Sequence, residues 1–465
     1  MTSRLSRRVR VPLSLKKIVV VWSFVCAVRG VFSGAGAGMF GCGVVFLALS
    51  LDVAADAEPS VGRRVSMPLA LDDAVAQALS SNTSLQQRRQ RAQAATFQVM
   101  PAGAPPDPRV SINVVNLPVD DPGFDDDPMT QVQIGLAQDV PFPGKLKLRR
   151  EAAAFDAQSE AIGVEALQSQ VVHDVKQYWW QLFYLDRALE TLASTHELMR
   201  QMVATAQSQY VVGRGLQQDV LQAQLELSKL LEEEIDLAER RRLNEAALAG
   251  LLDWPLSSAI ELPPVVETTL TPLPEYTLLM AMAMESRAEL QQLQARIDAA
   301  ESRRDLAQRE RYPDFRLAAV YGQRQNRSDL ASLQFSMSLP LYAKRKQRQL
   351  VDHRDAELIA ARAELRDLRV RVATQVTQAL ARYDRARDEM ALYEDGIIPQ
   401  AKQTVDSMLA GYQVNKVNFM QLVRAQAVWH TSQKQFWLAF AKANQALAQM
   451  ELAVGRELTL GVVAE

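Results

Sequence analysis

Cysteine is nearly absent from this sequence: Cys26 and Cys42 are the only two in 465 residues, and both precede residue 58. Beyond that segment neither disulfides nor thiolate metal ligands can be built. Histidine is almost as scarce. His173, His196, His353 and His430 show no i, i+4 pairing with one another, whereas zinc or copper needs three or four converging ligands, so no metal site is expected. His173 and Trp179-Trp180 fall at helical spacing among apolar residues and read as packing groups. No nucleophile elbow, metalloprotease or phosphate-loop pattern occurs, which argues against an enzyme and against a bound cofactor. The segment Pro141 to Lys145 (PFPGK) lacks the upstream glycine and the following Ser or Thr of a phosphate loop. Charge of one sign is missing too: 52 basic against 54 acidic residues give a net charge of −2, and nothing in that balance favours nucleic acid. Aromatics at 6% and 20 glycines, beside 48% hydrophobic residues, suggest a helical body rich in Ala and Leu.

The first 57 residues read as a leader. Arg4, Arg7, Arg8, Arg10, Lys16 and Lys17 precede an apolar run from Ile18 to Val28, and a second run from Gly43 to Leu51 precedes Ala55-Asp56-Ala57. A basic segment, an apolar core and an A-x-A site make up a secretory signal, with cleavage expected after Ala57. Its unusual length leaves an upstream start codon or an uncleaved anchor as alternatives, and Cys42 stands in a poor context for lipidation. Losing seven positive and two negative charges with the leader takes the net charge from −2 to −7.

What remains contains the same unit twice. Pro106 to Val110 (PDPRV) recurs as Pro313 to Leu317 (PDFRL), Pro141 to Lys145 (PFPGK) as Pro340 to Lys344 (PLYAK), and Tyr210 to Gln224 as Tyr412 to Gln426, at offsets of 207, 199 and 202 residues. The second copy therefore has a shorter loop between its strands and a small insertion in its helices. Such a duplication dictates architecture: a leader (1–57), a first repeat (58–254), a linker (255–274) holding five prolines, and a second repeat (275–460).

Each repeat reads as an opening helix (Leu71 to Gln98; Tyr276 to Arg311), two strands, a long helix, a turn, and a helix running back (Leu216 to Leu252; Val417 to Gly455). From Leu146 to Gln209 there is no proline and one glycine, Gly163. In the second copy Leu358, Leu365, Val372, Ala379, Ala386 and Tyr393 recur every seven residues, the period of a coiled-coil seam. Gly396 and Pro399 then predict a kink or a fresh helix start. The strands are placed at Arg109 to Asn116, Gln131 to Val140, Phe315 to Gln323 and Ala331 to Leu339. Val132, Ile134 and Leu136 alternate with Gln131, Gln133 and Gly135, and Leu333, Phe335 and Met337 with Gln334, Ser336 and Ser338, as in transmembrane barrel strands. Barrels begin at about eight strands and open edges cannot face lipid, so four such strands must be pooled between subunits.

On the duplication, the turns Tyr210 to Gly215 (YVVGRG) and Tyr412 to Val417 (YQVNKV), and PFPGK, the chain resembles the TolC family of outer-membrane efflux channels over about residues 68 to 460; PFPGK is most similar to the heavy-metal branch of the CzcC and CusC type. The resemblance implies a mainly α fold with a small β part. Duplicated long-helix hairpins form a coiled-coil tunnel in the periplasm, and four strands per subunit contribute to a trimeric 12-stranded transmembrane β-barrel in the outer membrane. It implies a homotrimer acting as a passive exit duct for heavy-metal ions, in contact with outer-membrane lipid, a periplasmic adaptor (membrane fusion) protein and an inner-membrane pump of the RND type. Alternatives are a channel for type I protein secretion or drug efflux, or a periplasmic coiled-coil adaptor without a barrel.

The candidate sites follow. The turns at Val212, Gly213, Arg214, Gly215 and Leu216 and at Val414, Asn415, Lys416, Val417 and Asn418 are the expected adaptor contacts, with Gly213 and Gly215 supplying positive backbone angles and Asn415 standing where the family more often has glycine. Where multidrug members place paired carboxylates at the periplasmic aperture, this chain has Gln421 and Arg424, and the first copy offers Asp219; a gate built from Asp219 and Arg424 competes with a merely solvated helix surface. At the barrel-to-helix junction Pro141 and Pro143 end a strand and Gly144 turns the chain, setting Lys145, Lys147, Arg149 and Arg150 near lipid headgroups. The loop with Asp120, Asp121, Asp125, Asp126 and Asp127 reads as a solvated loop, its spacing matching no calcium loop.

Overall fold

The computed structural model describes residues 68–458 except 121, 122, 126 and 415. The leader, with Cys26, Cys42 and the expected cleavage after Ala57, lies outside the described residues. The first copy runs α1 (Leu71–Ser81), α2 (Thr83–Gly103), β1 (Arg109–Val115), β2 (Gln131–Val140), α3 (Lys145–Val211) and α4 (Gln217–Leu251). The second runs α5 (Tyr276–Ser286), α6 (Ala288–Arg309), β3 (Phe315–Gln323), β4 (Leu330–Met337), α7 (Gln347–Ala391), a π-helical turn (Leu392–Ile397), α8 (Ile398–Gln413) and α9 (Phe419–Val454).

With no proline to remove a donor, α3 continues for 67 residues, about 100 Å at the usual rise. Its counterpart is interrupted where Gly396 and Pro399 predict: the backbone widens into the π turn, in which Ile398 N donates to Tyr393 O, and Pro399, which has no N–H to give, follows directly after it. Leu358, Leu365, Val372, Ala379 and Ala386 are buried as a seam, but Tyr393, inside the π turn, is only half-buried. Leu358 and Leu365 pack on Leu290, Leu293 and Ile297 of α6.

Each opening helix, expected as one piece, is broken in two. Asn82 takes an extended ψ of 119°, its Oδ1 accepts from Leu85 N at 3.1 Å and its Nδ2 donates to Leu251 O at 3.2 Å. Arg287 breaks the second copy with ψ 116°, its buried guanidinium donating to Ala453 O at 3.3 Å and Gln375 Oε1 at 2.6 Å. In both, a side chain that satisfies a helix end elsewhere outweighs helix propensity.

The irregular stretch between α4 and α5 is packed down. Ile260 is buried; Leu262, Val266 and Leu270 lie against an aromatic cluster of Trp179, Trp180, Phe183 and Phe440. Arg241 Nη2 and Glu245 Oε1 hold the Ile260 carbonyl and N–H, so the proline-rich segment binds the two copies where their cores meet.

The four strands form one antiparallel sheet in the order β1-β2-β3-β4. Register places Val110 opposite Leu136, Ile134 opposite Tyr321, and Leu317 opposite Phe335. Paired residues share a face, so one face gathers Val110, Ile112, Ile134, Leu136, Leu317, Leu333 and Phe335, while Ser111, Asn113, Gln133, Gln334 and Ser336 line the other. The apolar face is uncovered: Ile112 is 73% exposed and Leu333 90%. Among the described residues no helix is long and apolar enough to cross a membrane.

Trp179 is 2% exposed, stacks on Phe183 and donates from Nε1 to Leu69 O at 3.0 Å. Trp179→Ala should cost about 3–5 kcal/mol, measurable as an earlier loss of helical circular dichroism in denaturant on detergent-solubilised protein.

Candidate functional site

The long helices end in two tips. At the first, Gly213 has φ 70°, a conformation that closes a helix and that β-branched residues resist. Gly213 N donates to Tyr210 O at 3.0 Å, and Arg214 N and Gly215 N donate to Gln209 O at 2.9 and 3.0 Å, satisfying carbonyls at the helix end. Gly215 does not share the positive angle. It is needed for space, since a Cβ there would lie 3.1 Å from both Gln209 Cβ and Tyr210 N. Val211, Val212 and Leu216 are left exposed around the turn.

At the second tip Asn415 lies outside the described residues. Lys416 N donates to Gly411 O at 2.9 Å, and Val417 packs against Gly411, where any Cβ would collide with its methyl group. Sequence reasoning passed over Gly411, whose only signal is its place one turn before the reversal. Asn418, expected as a contact, caps α9: its Oδ1 accepts from Met420 N at 2.9 Å. Val414 is exposed.

Beyond the tips, Gln421 and Arg424 are exposed on α9 and line a groove of about 290 Å³ with Ala401, Thr404 and Met408 of α8. Asp219 sits elsewhere, in the first turn of α4. It faces Tyr412, whose phenol is pushed up by burial and then by the Asp219 charge. Among the described residues Asp219 and Arg424 form no ion pair within the chain.

A second polar cluster was not foreseen. His430, buried in α9, has Nδ1 2.8 Å from Thr195 Oγ1 and Nε2 3.7 Å from Glu233 Oε2, while Lys434 pairs with the other carboxylate oxygen. The neighbouring His430, then Lys434, hold the Glu233 carboxyl at about 2 against the opposing effect of burial. At 3.7 Å the imidazole is too far for a full hydrogen bond, so the Lys434 ammonium is the closer partner. The cluster ties α3, α4 and α9 together. Its signal was the i, i+4 spacing of His430 and Lys434, which pairs histidine with lysine and so falls outside a search for metal ligands.

The barrel-to-helix junction departs from expectation at Lys145. Gly144, at φ 90°, turns the chain sharply, and Lys145 points inward with its side chain 4% exposed. Its Nζ donates to Asp314 Oδ1 at 2.8 Å and to Tyr312 O at 2.9 Å. Asp314 Oδ1 also accepts from Phe142 N at 2.8 Å, and the Phe142 ring stacks on Tyr312 at 4.5 Å. The strand ends at Pro141 and Pro143 as expected, and Arg309 donates to the Pro143 carbonyl at 3.2 Å. Burying an ammonium without a partner is costly, so this lysine joins two strands and does not face headgroups; Lys147 and Arg150 remain exposed. In the acidic loop, Asp127 Oδ1 accepts from Met129 N and Asp125 from Asn326 Nδ2; Asp121 and Asp126 lie outside the described residues. No group of three or more His, Cys, Asp or Glu is placed to hold a metal among the described residues.

Residues 74–253 and 279–456 match the outer membrane efflux protein family, and the stretch between them is the proline-rich connection. The chain belongs to the outer membrane efflux protein family. No curated protein sequence matches it. Among solved structures it is similar to the outer membrane protein VceC from Vibrio cholerae, with a TM-score of 0.71 at 18% identity over 84% of this chain and 97% of that one. It is similar to CusC, with a TM-score of 0.71 at 15% identity over 88% and 99%. It is also similar to the open state of the MtrE channel from Neisseria gonorrhoeae, with a TM-score of 0.71 at 15% identity over 84% and 90%. As an outer membrane efflux protein of the TolC type it resides in the outer membrane, its strands belonging to a β-barrel and its helices to a periplasmic tunnel. A barrel-less periplasmic scaffold is thereby excluded.

Because the folded-state pKa of Glu233 lies below the ordinary 4.5, its contribution to stability is complete above that value and is lost as pH falls toward about 2. The melting temperature of the native protein should exceed that of Glu233→Gln at pH 6, and the gap should shrink steadily as pH falls from 4.5 toward 2. A gap that persists unchanged at low pH would assign the difference to something other than this carboxylate.

Proposed function

We propose that three copies pool their strands into one twelve-stranded barrel, and that the trimer is the passive exit duct of a tripartite system. Its tips dock on a periplasmic adaptor, which links it to an inner-membrane pump of the RND type; the cargo is heavy-metal ions. The observation that carries this reading is the sheet: one continuous apolar face, both outer edges unpaired among the described residues, with β2 and β4 leading into helices of 67 and 45 residues. Unpaired strand edges are not tolerated in hydrocarbon, and four strands are too few to close.

The tips support docking by presenting Val211, Val212, Leu216 and Val414 to solvent at the end of a rigid hairpin. The metal cargo rests on the PFPGK segment and on the likeness to CusC. With Gln421 and Arg424 where an acidic ring would collect cations, selection lies with the pump and the duct passes what it is given.

A deletion strain should become sensitive to copper, zinc, cobalt or cadmium salts; sensitivity confined to drugs would overturn the metal cargo and leave the channel standing. Gly213→Val, which forces a β-branched residue to φ 70° at a cost of about 1–2 kcal/mol, should reduce cross-linking to the adaptor while trimer yield in the outer membrane is kept. In planar bilayers Arg424→Gln should raise cation selectivity and Asp219→Asn should lower it. Identical selectivity in both would remove these residues from the aperture.

A further inference from the structure

Both hairpins of the sheet obey one register. Shifting β1 by its offset of 207 and β2 by 199 turns the pair Val110 and Leu136 into Leu317 and Phe335, and these are indeed opposite each other in β3 and β4. The repeat is therefore exact through the sheet, and it has two kinds of seam. One, between β2 and β3, is made within the chain. The other would join β4 to β1, and among the described residues both of these edges are free.

Resting on the trimer proposed above, we infer that β4 of one subunit pairs with β1 of a second copy in the register that the β2–β3 seam dictates, closed at its helical end by an ion pair between Lys344 and Asp107. Applying the same offsets, Leu136 opposite Ala319 becomes Phe335 opposite Ile112, and Ile134 opposite Tyr321 becomes Leu333 opposite Val114. Every such pair brings apolar residue to apolar residue on the exposed face, and Gln334 meets Asn113 on the polar one. A shift of one residue would put Phe335 opposite Asn113 or Ser111 and mix the faces. The register derived from the repeat is thus one that keeps a single face toward lipid.

The ion pair follows from the same mapping. Lys145, four residues beyond Pro141, meets Asp314, one residue before β3. Their counterparts are Lys344, four residues beyond Pro340, and Asp107, which follows Pro106 at the same place in the PDPRV motif. Both are exposed, and among the described residues neither has an ion-pair partner within the chain. The junction that Lys145 and Asp314 make inside one subunit is repeated between subunits.

Ile112→Cys with Phe335→Cys should yield covalent dimers and trimers on non-reducing gels of oxidised outer membranes, removed by reductant. Single variants give the background from Cys26 and Cys42, and Asn113→Cys with Phe335→Cys, whose side chains lie on opposite faces, should not exceed it. Asp107→Lys and Lys344→Asp should each lower the temperature at which the detergent-resistant trimer dissociates, and the double exchange should restore it. A trimer by mass that shows no link between residues 112 and 335, or no restoration by the exchange, overturns the seam alone. A monomer by mass overturns the trimer and the seam with it.

Discussion

A peptide group in hydrocarbon can satisfy its hydrogen bonds only with another peptide group, and that constraint governs this molecule from one end to the other. The sheet's exposed face, with Ile112 and Leu333 uncovered, suits lipid only if the rims of β1 and β4 are paired. The long helices follow the strands closely, α3 starting five residues after β2 ends and α7 ten residues after β4 ends, so strand spacing and helix spacing are set together.

The place where that coupling is enforced is the junction around Lys145. A strand and a helix meet there at a sharp turn, and the buried ammonium collects Asp314 Oδ1 and the Tyr312 carbonyl. Removing Asp314 leaves the buried ammonium stranded, a loss of up to about 3–5 kcal/mol, although the intact pair itself offers little net gain over apolar packing. Its value is directional: it fixes how β2 and β3 leave the barrel. The proline-rich connection does the corresponding work lower down, where Ile260 and its neighbours close over Trp179, Phe183 and Phe440.

Much of this was legible in the letters because repetition and periodicity are local properties. The strand bounds fall within two residues of their expected positions, and the alternation of Val132, Ile134 and Leu136 with glutamines anticipated which face would be apolar. What was not legible depended on distant partners. Nothing near Arg287 announces a helix break, since the Ala453 carbonyl that rewards it lies 166 residues away in the chain; Asn82, in the run Ser80-Ser81-Asn82-Thr83-Ser84, did carry a local capping signal, and its Oδ1 accepts from Leu85 N. Lys145 looked like a headgroup ligand because basic residues surround it, and only the approach of Asp314 turns it inward. His430 gave no hint of Glu233 and Thr195 for the same reason. The tip was half legible: Gly213 has the angle its residue type suggests, while Gly215 serves by having no side chain.

The π-helical turn has a consequence for how the two hairpins match. Before it, buried Val171, Val175, Leu182 and Leu185 of the first copy correspond to Val372, Val376, Tyr383 and Ala386 at an offset of 201; beyond it, Met199 and Ala206 correspond to Ala401 and Met408 at 202. One surplus amino acid has been swallowed by a single widened loop of backbone. In a regular helix that residue would have rotated everything below it by about 100°, turning the inward stripe of α8 outward. The bulge confines the disturbance, so a one-residue difference in length between the two halves leaves both hairpins pointing the same side chains at their neighbours.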